Sequence, residues 1–319
     1  MASIKEVAQL AGVGIGTVSR VINGGSVSEN TRVRVDEAIR KLNYVPNYSA
    51  QTLKTQRAGI IGLFVPVFNN PFFCAIADRI EAQLNKEGYN MLVVCSQEDK
   101  EKEVRVLRLL AQNRVDGAIF ITHNELGTID ETLPLVTIDR HLGKDIPCIT
   151  SDNYESTTKA IELMIEKGSR NVAYVGGKPM ASSEVEMRYK AYLDVMAKYG
   201  YEPIVYYKNT KHGQDYSVAH DFFDRYGDRV DAVFCSGDTF AYLLYQFAVQ
   251  KYEIPSQFRI VSYDGVMQNW VGKPDISCVK QDIDKMAQRV VEALFMRING
   301  EKCEKKVIVP ASFHIGETI

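Results

Sequence analysis

The 319-residue sequence contains one tryptophan and five histidines, and no apolar run approaches the roughly 20 residues that cross a bilayer. No helical membrane span is expected. The histidines (His123, His141, His212, His220 and His314) show no metal-binding spacing. No nucleophile, base and orienting group fall at a recognisable interval either, so the usual marks of an enzyme are missing and no cofactor is expected. Six cysteines (Cys74, Cys95, Cys148, Cys235, Cys278, Cys303) form no close pairs and sit mostly in apolar runs. Buried free thiols are expected, in place of disulfides or a zinc centre. The start does not read as a secretory leader, because Met1-Ala2-Ser3-Ile4-Lys5-Glu6 leads straight into an amphipathic helix. We expect a cytoplasmic protein. No leucine heptads follow the last apolar strand, which favours a dimer over a tetramer.

What is present is uneven in charge. The chain has a net charge of −2, yet residues 1–57 carry eight basic side chains against four acidic ones. A small basic module on a larger acidic body suits nucleic acid at one end and keeps the body from clinging to it. Within that module, Ser3 followed by Glu6 is a capping box, and Ile4, Val7, Ala8 and Ala11 share one helical face. Gly12 supplies a tight turn, and a second helix is expected from about Ile15 to Ile22 with Val18, Val21 and Ile22 inward. That leaves Ile15, Gly16, Thr17, Ser19 and Arg20 facing out, a set suited to the floor of a major groove. Gly12, Gly14 and Gly16 do not read as a phosphate loop, since no strand precedes them. A third helix, from Ser28 to about Leu42, should pack through Val33, Val35, Ala38, Ile39 and Leu42. Pro46 stops it, and Tyr48 to Thr55 is a helix-prone segment too short to hold in water without a partner.

From Ala58 the rhythm becomes strand, helix, strand, helix, with near-continuous apolar strands such as Ile60-Ile61-Gly62-Leu63-Phe64-Val65. Parallel sheets covered on both faces follow from that pattern, and the restart after Ser151 implies two of them. The expected domains are a headpiece at 1–46, a hinge at 47–57 and a core at 58–319. The core divides into an N-lobe of about 58–151 plus 281–319 and a C-lobe of about 152–280, with strand-end loops facing a cleft.

Ile4-Lys5-Glu6-Val7-Ala8, Thr17-Val18-Ser19-Arg20-Val21-Ile22-Asn23, Val27-Ser28-Glu29-Asn30-Thr31 and Tyr44-Val45-Pro46-Asn47 resemble the head of the lactose/galactose repressor family of bacterial transcription regulators. Asn70-Pro71-Phe72-Phe73, Val115-Asp116-Gly117, Ile138-Asp139-Arg140, Ser151-Asp152-Asn153 and Tyr263-Asp264 extend the resemblance across the chain. It implies a small all-α helix-turn-helix headpiece on a periplasmic-binding-protein-like α/β core of two lobes, acting as a homodimer on palindromic operator DNA. By position, Ile15, Gly16 and Arg20 would read bases, Thr17, Ser19 and Asn23 would support them, and Asn47, Ala50 and Leu53 would place the hinge in the minor groove. The family usually carries serine at Gly14 and a bulkier polar residue at Gly16, so preference should lean on Arg20 and on DNA shape.

A sugar needs paired acceptors and donors plus an aromatic face. The strand-end candidates for an effector, a mono- or disaccharide, are Phe72, Asp139, Arg188, Asp238, Asp264 and Trp270, with Phe73, Arg140, Asp152, Asn153 and Tyr263 beside them. The expected function is a repressor of carbohydrate-utilisation genes released by a sugar. The alternatives are a corepressed, purine-type regulator and a global catabolite regulator that senses a phosphocarrier protein.

Overall fold

The computed structural model describes residues 2–22, 24–44, 57–97, 99–112, 115–122, 124, 126–177, 183–208, 217–268, 270 and 272–319. They fall into two compact units, Met1–Ala58 and Gly59–Ile319.

The first unit holds α1 (Ile4–Ala11), α2 (Ile15–Ile22) and α3 (Glu29–Lys41) around Val7, Ala8, Ala11, Val18, Val21, Val35 and Ala38. The capping box is formed: the Ser3 amide donates to Glu6 Oε2 at 2.7 Å, and Ser3 Oγ accepts from the Glu6 amide at 3.4 Å. Gly12 closes α1 in the left-handed region, φ 61°. The C-terminal carbonyls of α1 then meet a partner that no local pattern announces. Arg34 of α3 donates through Nη2 and Nε to the Ala11 carbonyl, at 2.6 and 3.0 Å, and through Nη2 to Gly12 at 2.8 Å. A guanidinium at a helix C-terminus satisfies orphan acceptors and the negative end of the dipole together. Arg34→Met should therefore loosen α1 by about 2 kcal/mol, seen as faster amide exchange along α1 in the full chain; unchanged exchange would show that the fork is dispensable. Val33 corrects the sequence reading, being 46% exposed. Val35, Ala38, Ile39 and Leu42 share one helical stripe, and a residue two positions from Val35 lies on the opposite side.

The second unit contains two six-stranded sheets. The first comprises β1 (Ile60–Val65), β2 (Asn90–Cys95), β3 (Gly117–Phe120), β4 (Leu135–Ile138), β5 (Cys148–Ser151) and β11 (Lys306–Val309), in the order β11-β5-β4-β3-β1-β2 and wholly parallel. The second comprises β6 (Val172–Gly176), β7 (Ile204–Tyr207), β8 (Ala232–Cys235), β9 (Arg259–Asp264), β10 (Ser277–Lys280) and β12 (Ser312–His314), in the order β12-β10-β9-β8-β6-β7. Only β12 runs antiparallel. Helices α4 (Pro71–Lys86), α5 (Lys100–Ala111) and α10 (Ile283–Ile298) belong with the first sheet, and α6 (Asn153–Glu166), α7 (Glu186–Tyr199), α8 (Ser217–Tyr226) and α9 (Asp238–Lys251) with the second. Strands such as β3, β4 and β8 are buried at every residue because helices cover both faces, which is why they read as unbroken apolar runs.

The two sheets have the same spatial order of strands, and the chain passes between them three times, after β5, after β10 and after β11. The third passage corrects the expected lobe boundary. Residues 306–309 do finish the first sheet, but 312–319 return to the second, where β12 pairs with β10 and Thr318 Oγ1 donates to the Ile260 carbonyl at 2.6 Å. The sequence reading lacks β10 and β12: Ser277 and Lys280 leave only two apolar residues in the first, and the second has only three residues. Asp152, at the first crossing, accepts from the Ala311 amide of the third at 2.8 Å and ties the two together.

Candidate functional site

On the first unit, Ile15, Gly16 and Arg20 lie on the exposed face of α2, with Thr17 and Ser19 half-buried beside them. A Cβ at Gly14 or Gly16 would meet nothing within 4 Å, so the face is open around both glycines. Asn23, Asn47, Ala50 and Leu53 lie outside the described residues.

On the second unit, the carboxyl ends of both sheets border a cavity of about 300 Å³. Phe72 and Phe73 reach it from the start of α4, where Asn70 accepts from the Phe72 amide at 2.9 Å and Pro71 fits the first turn. Their rings meet edge to face, with centroids 5.9 Å apart. Tyr174, Tyr189 and Phe240 supply apolar surface from the other lobe. Asp139 and Asp264 occupy matching places, at the ends of β4 and β9, the fourth strands of equivalent sheets. Both also have positive φ, 58° and 95°, a conformation rare for non-glycine residues and one that marks functional positions.

The centre is Arg188, 3% exposed on the first turn of α7. Its Nε donates to Asn153 Oδ1 at 2.6 Å and its Nη1 to the Ser236 carbonyl at 2.6 Å, with Asp264 Oδ1 at 3.5 Å. The guanidinium lies 3.5 Å from the centre of the Tyr263 ring, a cation–π stack. Nη2 takes no partner among the described residues and stays available to a ligand. Burial pushes the Asp264 carboxyl up to about 7, reinforced by Asp238 and opposed by Arg188 and by Gln281. Burial likewise raises Asp139, against the pull of Arg188 and of the Thr150 hydroxyl, which donates to it at 2.5 Å.

These side chains are wired to the crossings. Asn153 Nδ2 donates to Thr150 Oγ1 and to the Ser151 carbonyl at the first crossing. Gln281 of the second crossing donates to Asp264 Oδ1 at 2.8 Å. The Tyr263 hydroxyl bonds Ser151 at 2.9 Å and Ser156 at 3.1 Å. A second link joins the lobes directly: Glu184 Oε1 meets His141 Nε2 at 2.5 Å and Lys306 Nζ at 2.7 Å. Burial works against the charge on Glu184, but Lys306 and His141 hold its carboxyl below the usual range.

The cavity thus gathers Phe72, Asp139, Arg188, Asp238 and Asp264. Asp238 is largely spoken for: Oδ1 accepts from the Ser262 hydroxyl and the Gly265 amide, and Oδ2 from the amides of Val266 and Met267 at 2.7 and 3.0 Å. Its carboxylate anchors the loop after β9. Trp270 does not line the cavity; it is half exposed further along that loop, while Met267 takes the buried place. Lys208, Tyr174 and Tyr189 were missed. Lys208 stands directly after β7 and could have been found by the strand-end rule already applied to Asp139 and Asp264.

Comparison with known proteins agrees in both units. A family description, bacterial regulatory proteins of the lacI family, matches residues 3–47, and a periplasmic binding protein-like domain matches residues 161–319. The sucrose operon repressor of Streptococcus mutans is 31% identical over the full length of both chains. A lac repressor dimer bound to operator and an anti-inducer superposes with a TM-score of 0.84 at 21% identity, covering 99% of this chain and 98% of that one. A transcriptional regulator CelR bound to cellobiose superposes with a TM-score of 0.69 at 27% identity over the whole of both chains.

Proposed function

Because the chain belongs to the lacI family of bacterial regulatory proteins, we propose that it represses carbohydrate-utilisation genes as an operator-bound homodimer and is released by a neutral sugar. It is a transcription regulator and not an enzyme. The headpiece at 1–46 carries base reading through Ile15, Gly16 and Arg20 with Thr17, Ser19 and Asn23, and a hinge at 47–57 places Asn47, Ala50 and Leu53 at the operator centre. With glycine at position 16, Arg20 bears most of the direct readout.

The observation that supports a sugar is the make-up of the cavity. Aromatic rings stand on both lobes, and the polar groups between them include Arg188, Asp139 and Asp264. That combination suits a ring with apolar C–H faces and vicinal hydroxyls. Three cations, Arg140, Arg188 and Lys208, face four carboxylates, Asp139, Glu186, Asp238 and Asp264. The balance favours an uncharged ligand over a sugar phosphate. A ligand bound between the lobes changes the Asn153 and Gln281 contacts at the crossings, and thereby the separation of the two hinges in the dimer. An allosteric coupling of about 1–3 kcal/mol suffices to lower operator occupancy several-fold to a hundredfold.

Thermal shift with sucrose, cellobiose, D-ribose, their phosphates and purines, followed by operator titration with each hit, tests this. A neutral sugar should stabilise the protein and weaken operator binding. Stabilisation by a purine or a sugar phosphate alone, with tighter operator binding, would overturn it.

A further inference from the structure

Helix α9 opens onto the cavity without a cap of its own. Its N-cap position is Gly237, whose backbone is extended (φ −172°, ψ 160°) and would suit any residue. Serine, threonine, asparagine or aspartate ordinarily stands there, accepting from an amide of the first turn. Asp238 follows, but its two oxygens are committed to Ser262 and to the amides of residues 265–267. Among the described residues, nothing outside the helix accepts from the amides of Thr239 and Phe240. Those donors sit at the positive end of a 14-residue helix, beside the cavity.

A second observation points to the same spot. Asp264 is 7% exposed; its Oδ1 accepts from Gln281 and Arg188, whereas its Oδ2 meets no partner among the described residues. A Cβ added to Gly237 would stand 3.1 Å from that Oδ2. Unsatisfied donors and an unsatisfied acceptor therefore converge where the backbone carries no side chain. All three groups line the cavity, where a ligand can reach them.

We propose that a hydroxyl of the effector completes the N-cap of α9, accepting from a first-turn amide and donating to Asp264 Oδ2 in the space left at Gly237. The inference rests on the sugar-effector reading above. It makes Gly237 a specificity-determining residue: the ligand supplies the oxygen that a serine would otherwise provide.

The test uses the full-length protein, Gly237→Ser and Gly237→Ala, each with and without sucrose, cellobiose and D-ribose. In the parent protein, the sugar that raises Tm should also slow amide exchange at residues 239 and 240. Gly237→Ser should show slow exchange there and a higher Tm without any sugar, and should bind that sugar at least tenfold more weakly. Gly237→Ala fills the space without an oxygen, so it should lose the affinity and gain neither protection nor Tm. Unchanged exchange at 239 and 240 on sugar binding, or parental affinity in Gly237→Ser, would overturn the proposal while leaving the sugar reading intact. Absence of any sugar effect on the parent protein would overturn both.

Discussion

Arg188→Met is expected to abolish the sugar response proposed above and to make the core markedly easier to unfold. The guanidinium satisfies Asn153 Oδ1 and the Ser236 carbonyl, stacks on Tyr263 and is the one cation that the structure places against Asp264 among the described residues. Methionine fills a similar volume but orphans two buried acceptors and leaves the carboxylate unpaired. Breaking a buried pair from one side costs about 3–5 kcal/mol. Urea unfolding at pH 8 should show a loss of that order, and calorimetric titration should show sugar affinity down at least a hundredfold. The double variant Arg188→Met/Asp264→Asn separates the two losses, since removing the second charge should restore much of the stability and none of the binding. Parental stability in the single variant would mean that the arginine is held by packing alone.

Asp264→Asn should act in the opposite direction on stability, because Arg188 keeps Asn153, the Ser236 carbonyl, the Tyr263 ring and the charge of Asp139. A carboxyl pushed up to about 7 binds its proton more tightly in the folded chain than in the unfolded one, where it titrates near 3.9. The stability attached to that proton is fully present below about pH 3.9 and is lost as pH rises through about 7. Above pH 7 the native protein carries a charge it would fold better without. The asparagine variant, of the same shape and without the charge, should therefore have the higher Tm at pH 8, by an amount that shrinks as the pH is lowered from 7 toward 5. Its sugar response should be lost, because an amide cannot accept at both positions. An equal Tm for the two proteins at every pH would show that Arg188 already neutralises the carboxylate. Together the two substitutions describe a site kept at some expense to stability, as binding sites commonly are.

Much of this architecture is legible in the chain. Apolar runs bounded by glycine and charge give the parallel strands, and the amphipathic period gives the helices between them, because both patterns are local. Arg34 shows the limit. It counts toward a basic, DNA-seeking surface until the fold brings it 22 residues back along the chain to cap α1. The last crossing is hidden for a related reason: Pro310 and Ala311 link β11 to β12 with no helix between, so the rhythm that announces every other passage is absent. In the cavity, Asp139, Arg188 and Asp264 stand among the strand-end candidates, and the resemblance strengthens all three. Their dependence on Asn153, Gln281 and Tyr263 is a matter of side-chain meeting across distant elements. Trp270 is a candidate by its chemistry alone, and the loop that carries it is pinned elsewhere by Asp238.

The three passages between the lobes also decide when each half can exist during synthesis. The first sheet lacks an edge until residues 306–309 are made, and the second until 312–314. A ribosome reading the message in order can release a finished headpiece early, but it can release neither lobe ahead of the other. Both sheets close within a few residues of each other, long after the DNA-binding headpiece has been made.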